Sequence, residues 1–146
     1  MLTSSPVQDL PALVARQRRY FQTGATQPYA QRRQQLQGLA QALEQHQARL
    51  LAALAADLGK PAFEAIASEL LLCQEEITYT CQHLRTWMRP QAVRPSLFQL
   101  PGRAYTQAEP LGLVLIISPW NYPLQLAIAP LIGAIAAGNC AILKPS

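Results

Sequence analysis

Apolar residues return at helical spacing through the first part of the chain, and near residue 90 that period is lost. Leu10, Leu13, Val14 and Tyr20 or Phe21 predict a first helix over 9–21, closed by Thr23-Gly24. Pro28 suits a first helical turn. The stripe Leu36, Leu39, Leu43, Leu50, Leu51, Leu54 and Leu58 then predicts one long amphipathic helix. Gly59-Lys60-Pro61 is a stop and restart signal. Residues 61–88 read as a third helical stretch, in one piece or two. Its buried side is expected to carry Phe63, Ile66, Leu70, Cys73, Ile77, Leu84 and Trp87, leaving Glu64, Glu69, Glu75 and Glu76 solvated. Arg18-Arg19 and Arg32-Arg33 read as solvated faces, and His46 and His83 as surface or cap residues.

Pro90 and Pro95 break the helical pattern. Beyond them SLFQL and RAYTQAE predict two short strands with Pro101-Gly102 as the turn, a hairpin arm. LGLVLIIS, from Leu111, is a continuous apolar run of the kind covered on both faces in a parallel sheet. SPWNYP turns out of it, and PLQLAIAPLIGAIAA has the length of a crossover helix, with Pro123 in its first turn and Gly138-Asn139 as its stop. Pro130 is expected to kink that helix or split off its first turns, because its ring would meet the carbonyl of Leu126. The alanines and Gly133 would let the helix lie close on a sheet. CAIL then predicts a second strand leaving through Lys144-Pro145-Ser146. The fold class is therefore α/β: N-terminal helices (1–90), a hairpin arm (91–109), and the first right-handed β-α-β unit of a Rossmann-like parallel sheet from residue 110.

Composition changes this picture in two ways. The chain has 146 residues, is 50% hydrophobic and only 14% charged, against about 25% charged in a typical soluble domain. Either a membrane or a further part of a larger protein should cover so much apolar surface. The net charge of +4 is spread without a run of five like charges, which argues against a nucleic-acid partner. Cys73, Cys81 and Cys140 are odd in number, and MLTSSPVQDL has no apolar core of a secretory signal, so a reducing, cytoplasmic setting with free thiols is expected. With no CxxC pair and only His46 and His83, no metal site is expected.

In an open parallel sheet ligands bind beyond the carboxyl ends of the strands. Ser118-Pro119-Trp120-Asn121 and Lys144-Pro145-Ser146 are the polar punctuations at those two ends, and one crossover would set them side by side. Asn121 can offer a neutral amide donor and Lys144 a cation for a ribose or phosphate. GxGxxG is absent. Spacing alone implies only room for a nucleotide-sized ligand, and an asparagine that caps a helix or a lysine that ends a strand would look the same.

The ordered set EPLG, PWNYP, GAIAAGN and LKPS, with 22 residues between Asn121 and Lys144, resembles the aldehyde dehydrogenase superfamily. The EPLG and WNYP forms are most similar to its class 3 and fatty-aldehyde-dehydrogenase branch. The resemblance covers the whole chain and is most specific over 109–146. It implies that Asn121 helps form the oxyanion hole and that Lys144 contacts the adenosine ribose of NAD or NADP. It also implies that Ile117, Ser118, Pro119 and Trp120 line the cofactor site, with Ser146 of the KPS motif beside it. The implied reaction is thiolate attack on a small-molecule aldehyde, hydride transfer from the thiohemiacetal to NAD(P)+, and hydrolysis of the thioester with a glutamate as base.

None of the three cysteines matches the family nucleophile, which together with the glutamate base is expected beyond Ser146. The chain is thus expected to be an N-terminal fragment, inactive alone, of an enzyme that is a homodimer when full length and that meets a membrane only through a C-terminal part. The residues that choose between NAD and NADP, and those that select the aldehyde, are expected beyond Ser146 as well. Two other readings stand beside it. One is a membrane-associated apolar hairpin using the 34 uncharged residues between Glu109 and Lys144, interrupted by Pro119, Asn121, Pro123 and Pro130. The other is a helical module in which residues 1–90 bind a partner.

Overall fold

The computed structural model describes residues 9–146. The first eight residues, on which the expectation of no secretory signal falls, lie outside the described part. Asp9 caps the first helix, its side chain accepting from Ala12 N–H, and α1 runs Leu10–Gln22. The expected long second helix is two: α2 (Tyr29–Gln45) and α3 (Gln47–Leu58) meet at His46, which leaves helical geometry at φ −103°. His46 is a cap residue, as its reading allowed. Gly59 ends α3 in the left-handed region at φ 62°, where a residue without Cβ carries no steric cost.

The third helical stretch is continuous but irregular. A four-residue turn α4 (Ala62–Ala65) passes into one π turn over Ile66–Leu70 and then into α5 (Leu71–Trp87). The π turn inserts extra backbone and rotates the following residues. Within it Ile66 is exposed rather than buried and Glu69 is fully buried rather than solvated, while Leu70 reaches the core as expected. Phe63, before the turn, is exposed as well, contrary to the sequence reading. Trp87, also expected inside, lies at the surface and stacks on His83 with ring centroids 5.7 Å apart.

The hairpin arm exists with a different first strand. β1 is Gln91–Val93, paired antiparallel with β2 (Ala104–Thr106). SLFQL instead forms a 3₁₀ turn at Leu97–Gln99, because Ser96 and Gln99 close a capping box around it.

β3 (Leu113–Ile117), α6 (Gln125–Ala137) and β4 (Cys140–Lys144) form the expected β-α-β unit, with β3 and β4 parallel and in register from Leu113↔Cys140 to Ile117↔Lys144. α6 runs unbroken through Pro130. Pro130 forgoes a single interior bond, to the Leu126 carbonyl, and the helix continues past it on both sides. Gly133 is exposed and does not mediate the packing on the sheet; Ala127, Ile132 and Ala134 are the buried residues. Nor is β3 covered on both faces: Ile116 is buried, while Leu115 and Ile117 are 62% and 67% exposed.

The core lies where α2, α5 and α6 meet, built from Leu36, Leu43, Cys73, Ile77, Leu84 and Ile132. Burying a leucine or isoleucine side chain completely contributes about 1.5–3 kcal/mol. The helical region and the β-α-β unit therefore share one hydrophobic core. Arg32, read from sequence as solvated, is 8% exposed and binds the two together. Its Nη1 donates to the Ala136 carbonyl at 3.0 Å and its Nε to the Thr26 carbonyl, while the Thr26 hydroxyl donates to the Gly138 carbonyl. The cation meets the negative end of α6, where it satisfies a carbonyl the helix leaves open. Burial lowers its pKa. Gly138 stands at φ 86° against the guanidinium, and Asn139 Oδ1 accepts from Gly112 N–H at the start of β3. Among the described residues no helix is long and apolar enough to cross a membrane.

Candidate functional site

The parallel register sets Lys144 beside Ile117, and Ser118 N–H donates to the Lys144 carbonyl at 3.0 Å. The two polar punctuations therefore lie side by side at the carboxyl ends of the strands, the place where a parallel sheet receives ligands. Ile117, Pro119, Trp120, Asn121, Lys144 and Ser146 are all exposed there. Ser118 is different. It is buried, its hydroxyl donates to the Pro123 carbonyl at 2.9 Å, and its N–H is held by Lys144. Both its donors are used to fix the loop.

That loop, Pro119 to Leu124, is bound at three more points that sequence reasoning did not find. Tyr122 has φ 48°, a left-handed conformation that a residue with a bulky side chain adopts only when its surroundings impose it. Lys60 Nζ sits 4.2 Å from the centre of the Tyr122 ring. Glu69 reaches across from the π turn. Its Oε1 pairs with Lys60 at 2.5 Å, and its Oε2 accepts from Leu124 N–H at 2.8 Å and Gln125 N–H at 3.2 Å. The Lys60 and Glu69 side chains are 9% and 0% exposed, so this pair is shielded from water. The carboxylate meets the positive end of α6 and caps N–H groups that would otherwise have no partner.

A signal for Glu69 did exist. Residues 69, 73, 77, 80 and 84 share the buried stripe of the third helical stretch, and an acid on such a stripe must find a partner. Lys60 and Tyr122 carried no comparable mark.

The three cysteines are free, and each thiol pKa is raised, mainly by burial. Cys73 is pushed up to about 11 by burial first and then by the charges of Glu69 and Glu76. Thiols held protonated in this way are poor nucleophiles. A cleft lined by Gln17, Tyr20, Arg32, Asn139 and Cys140 opens at the amino ends of the strands. Arg32 there is engaged with the Thr26 and Ala136 carbonyls and Asn139 Oδ1 with Gly112 N–H, bonds that close the fold, so the carboxyl ends are taken as the candidate site.

Residues 2–146 match the model of the aldehyde dehydrogenase family. The chain is 49% identical over 131 residues to aldehyde dehydrogenase family 3 member B1 of Bos taurus, covering 90% of this chain and 28% of that protein. It superposes on the substrate-bound Staphylococcus aureus AldH with TM-score 0.92 at 39% identity, over 94% of this chain and 30% of the other. The glyceraldehyde-3-phosphate dehydrogenase GapN of Methanocaldococcus jannaschii, complexed with NADP, superposes with TM-score 0.75 at 25% identity, over 88% of this chain and 27% of the other. The chain thus spans a little over a quarter of the length of these relatives.

Proposed function

The chain belongs to the aldehyde dehydrogenase family, and from that premise we propose that it is the N-terminal part of an enzyme that oxidises an aldehyde to a carboxylate with NAD or NADP. In this reading residues 1–90 are a helical scaffold, 91–109 an arm available for pairing with a second subunit, and 110–146 the start of the cofactor-binding sheet. The observation that carries the proposal is the Ile117↔Lys144 register, which sets the loop running from Ser118 through Asn121 beside the Lys144 end of β4. The open apolar face of β3, with Leu115 and Ile117 exposed, supports the reading that more of a sheet domain packs there.

The residues present fit a dinucleotide. Lys144 supplies an exposed cation for a ribose hydroxyl or phosphate, and Ile117, Pro119 and Trp120 offer exposed surface beside it. When bound, NAD or NADP accepts the hydride that leaves the substrate carbon. Asn121 acts on the oxygen of that carbon. As a thiolate adds to the aldehyde, negative charge develops on the carbonyl oxygen, and a preorganised amide N–H stabilises it. An amide suits the position because it cannot protonate the thiolate and does not repel a cationic nicotinamide ring. Ser118 and Glu69 hold the loop that presents it. Cys73, Cys81 and Cys140 do not act as the nucleophile: their thiols are buried or half-buried and held protonated. In this proposal the nucleophile and the general base belong to the remainder of the enzyme, and the chain by itself is inactive.

Steady-state aldehyde oxidation by the full-length protein tests the assignment. Asn121→Ala should lower kcat by roughly 10²–10³, the effect of removing one oxyanion-hole donor. An unchanged kcat, with chemistry shown to be rate-limiting, would overturn it.

A further inference from the structure

The Lys60–Glu69 pair is almost wholly enclosed, although burying two charges is unfavourable unless both are well partnered. Its partners all belong to one short segment. Glu69 accepts from Leu124 and Gln125, 55 and 56 residues away, and Lys60 covers the ring of Tyr122. Asn121 sits between the two anchored ends of that segment, with the Ser118 hydroxyl fixed to Pro123 on one side and the Glu69 carboxylate fixed to the start of α6 on the other. Tyr122, the residue after Asn121, is held at φ 48°. A π turn, an irregularity that recurs at functional sites, is what swings Glu69 inward to reach this loop.

We infer that Lys60 and Glu69 are positioning residues for catalysis, fixing the Tyr122 conformation and the α6 start so that the Asn121 amide is held at the developing oxyanion. The inference rests on the role proposed above for Asn121. The pair acts through the loop and touches neither substrate nor cofactor. Loosening it should therefore act mainly on the chemical step: the anchors grip the loop after Asn121, whereas Ile117 and Lys144 beside the cofactor are held by the β3–β4 register. Misplacement of a reacting group by a fraction of an ångström is enough to be seen in the rate.

The experiment is single-turnover NAD(P)H formation in the full-length enzyme, together with the Kd for the cofactor. Glu69→Gln keeps the size of the side chain but sets an amide against the Lys60 ammonium. Lys60→Met keeps the stem and removes the cation, and it serves if Glu69→Gln does not fold. Either variant is expected to slow turnover by about 10- to 100-fold with the cofactor Kd within about two-fold of wild type. The deciding measurement is made in an Asn121→Ala background. There Glu69→Gln or Lys60→Met should add less than about two-fold, since residues acting through one group are not additive. The same multiplicative loss in both backgrounds, or no loss in either, overturns the inference while leaving the Asn121 assignment standing. If Asn121→Ala alone leaves the rate untouched, the oxyanion reading itself fails and this inference falls with it.

Discussion

Gly138 and Arg32 offer the sharpest quantitative check on how the helices hold the β-α-β unit. A Cβ built on Gly138 would lie 2.6–2.8 Å from the Arg32 guanidinium, closer than van der Waals contact allows. In Gly138→Ala the guanidinium must move, and it is buried, so moving it breaks its bonds to Ala136 and Thr26. Hydrogen bonds to a charged group contribute about 1.5–3 kcal/mol each; taking about 2 for the 3.0 Å bond to Ala136 and about 1 for the long one to Thr26 gives about 3 kcal/mol. The left-handed φ of 86° adds about 1.5 kcal/mol for any residue with a Cβ. Gly138→Ala should thus cost about 4.5 kcal/mol and Arg32→Met about 3 kcal/mol. The double variant should cost about 4.5 rather than about 7.5 kcal/mol, because the bonds are lost only once. Urea unfolding of the four full-length proteins measures this, provided the m-value is unchanged. Additivity within about 0.5 kcal/mol would show that Arg32 moves aside without losing its carbonyl partners, and the reasoning would fail.

The remaining expectations concern the strand ends and the thiols. Lys144→Ala should raise the Kd for NAD(P)+ while leaving the single-turnover rate at saturating cofactor nearly unchanged; an unaltered Kd, read by protein fluorescence quenching, would make Lys144 structural. Cys73 should resist a thiol reagent at pH 8 in the folded protein and react once urea unfolds it. Its pKa is raised from 9.0 to about 11 on folding, so between those values the unfolded chain has lost a proton that the native state keeps. Stability from this group is complete below about pH 9 and falls as pH rises toward 11. Cys73→Ala should flatten that alkaline slope, and an unchanged slope would place its origin elsewhere.

The sequence determined those features whose causes are local. Apolar spacing of three and four residues placed α1 and the stripes of α2 and α5, and the continuous run at Leu113–Ile117 marked a parallel strand. Gly59 and Gly138 marked helix ends because a left-handed φ excludes most other residues. The PWNYP and LKPS motifs located the strand ends where the candidate site lies. Other boundaries yielded to effects that local pattern does not carry. A capping box turned SLFQL into a 3₁₀ turn, and His46 divided a helix whose apolar stripe continues across the break.

What only the tertiary structure decided were the polar pairings between distant elements. Arg32 meets Ala136 across 104 residues and Glu69 meets Leu124 across 55. A charged residue on a helix is by default solvated, and nothing next to Arg32 or Glu69 in the chain announces a helix end waiting for it. Burial of a charge becomes favourable only once a second element delivers unpaired carbonyls or N–H groups to the same place. Asn121 was therefore legible as a residue type in a motif. The Lys60–Glu69 support that fixes its loop emerged only when the π turn and the start of α6 were brought together.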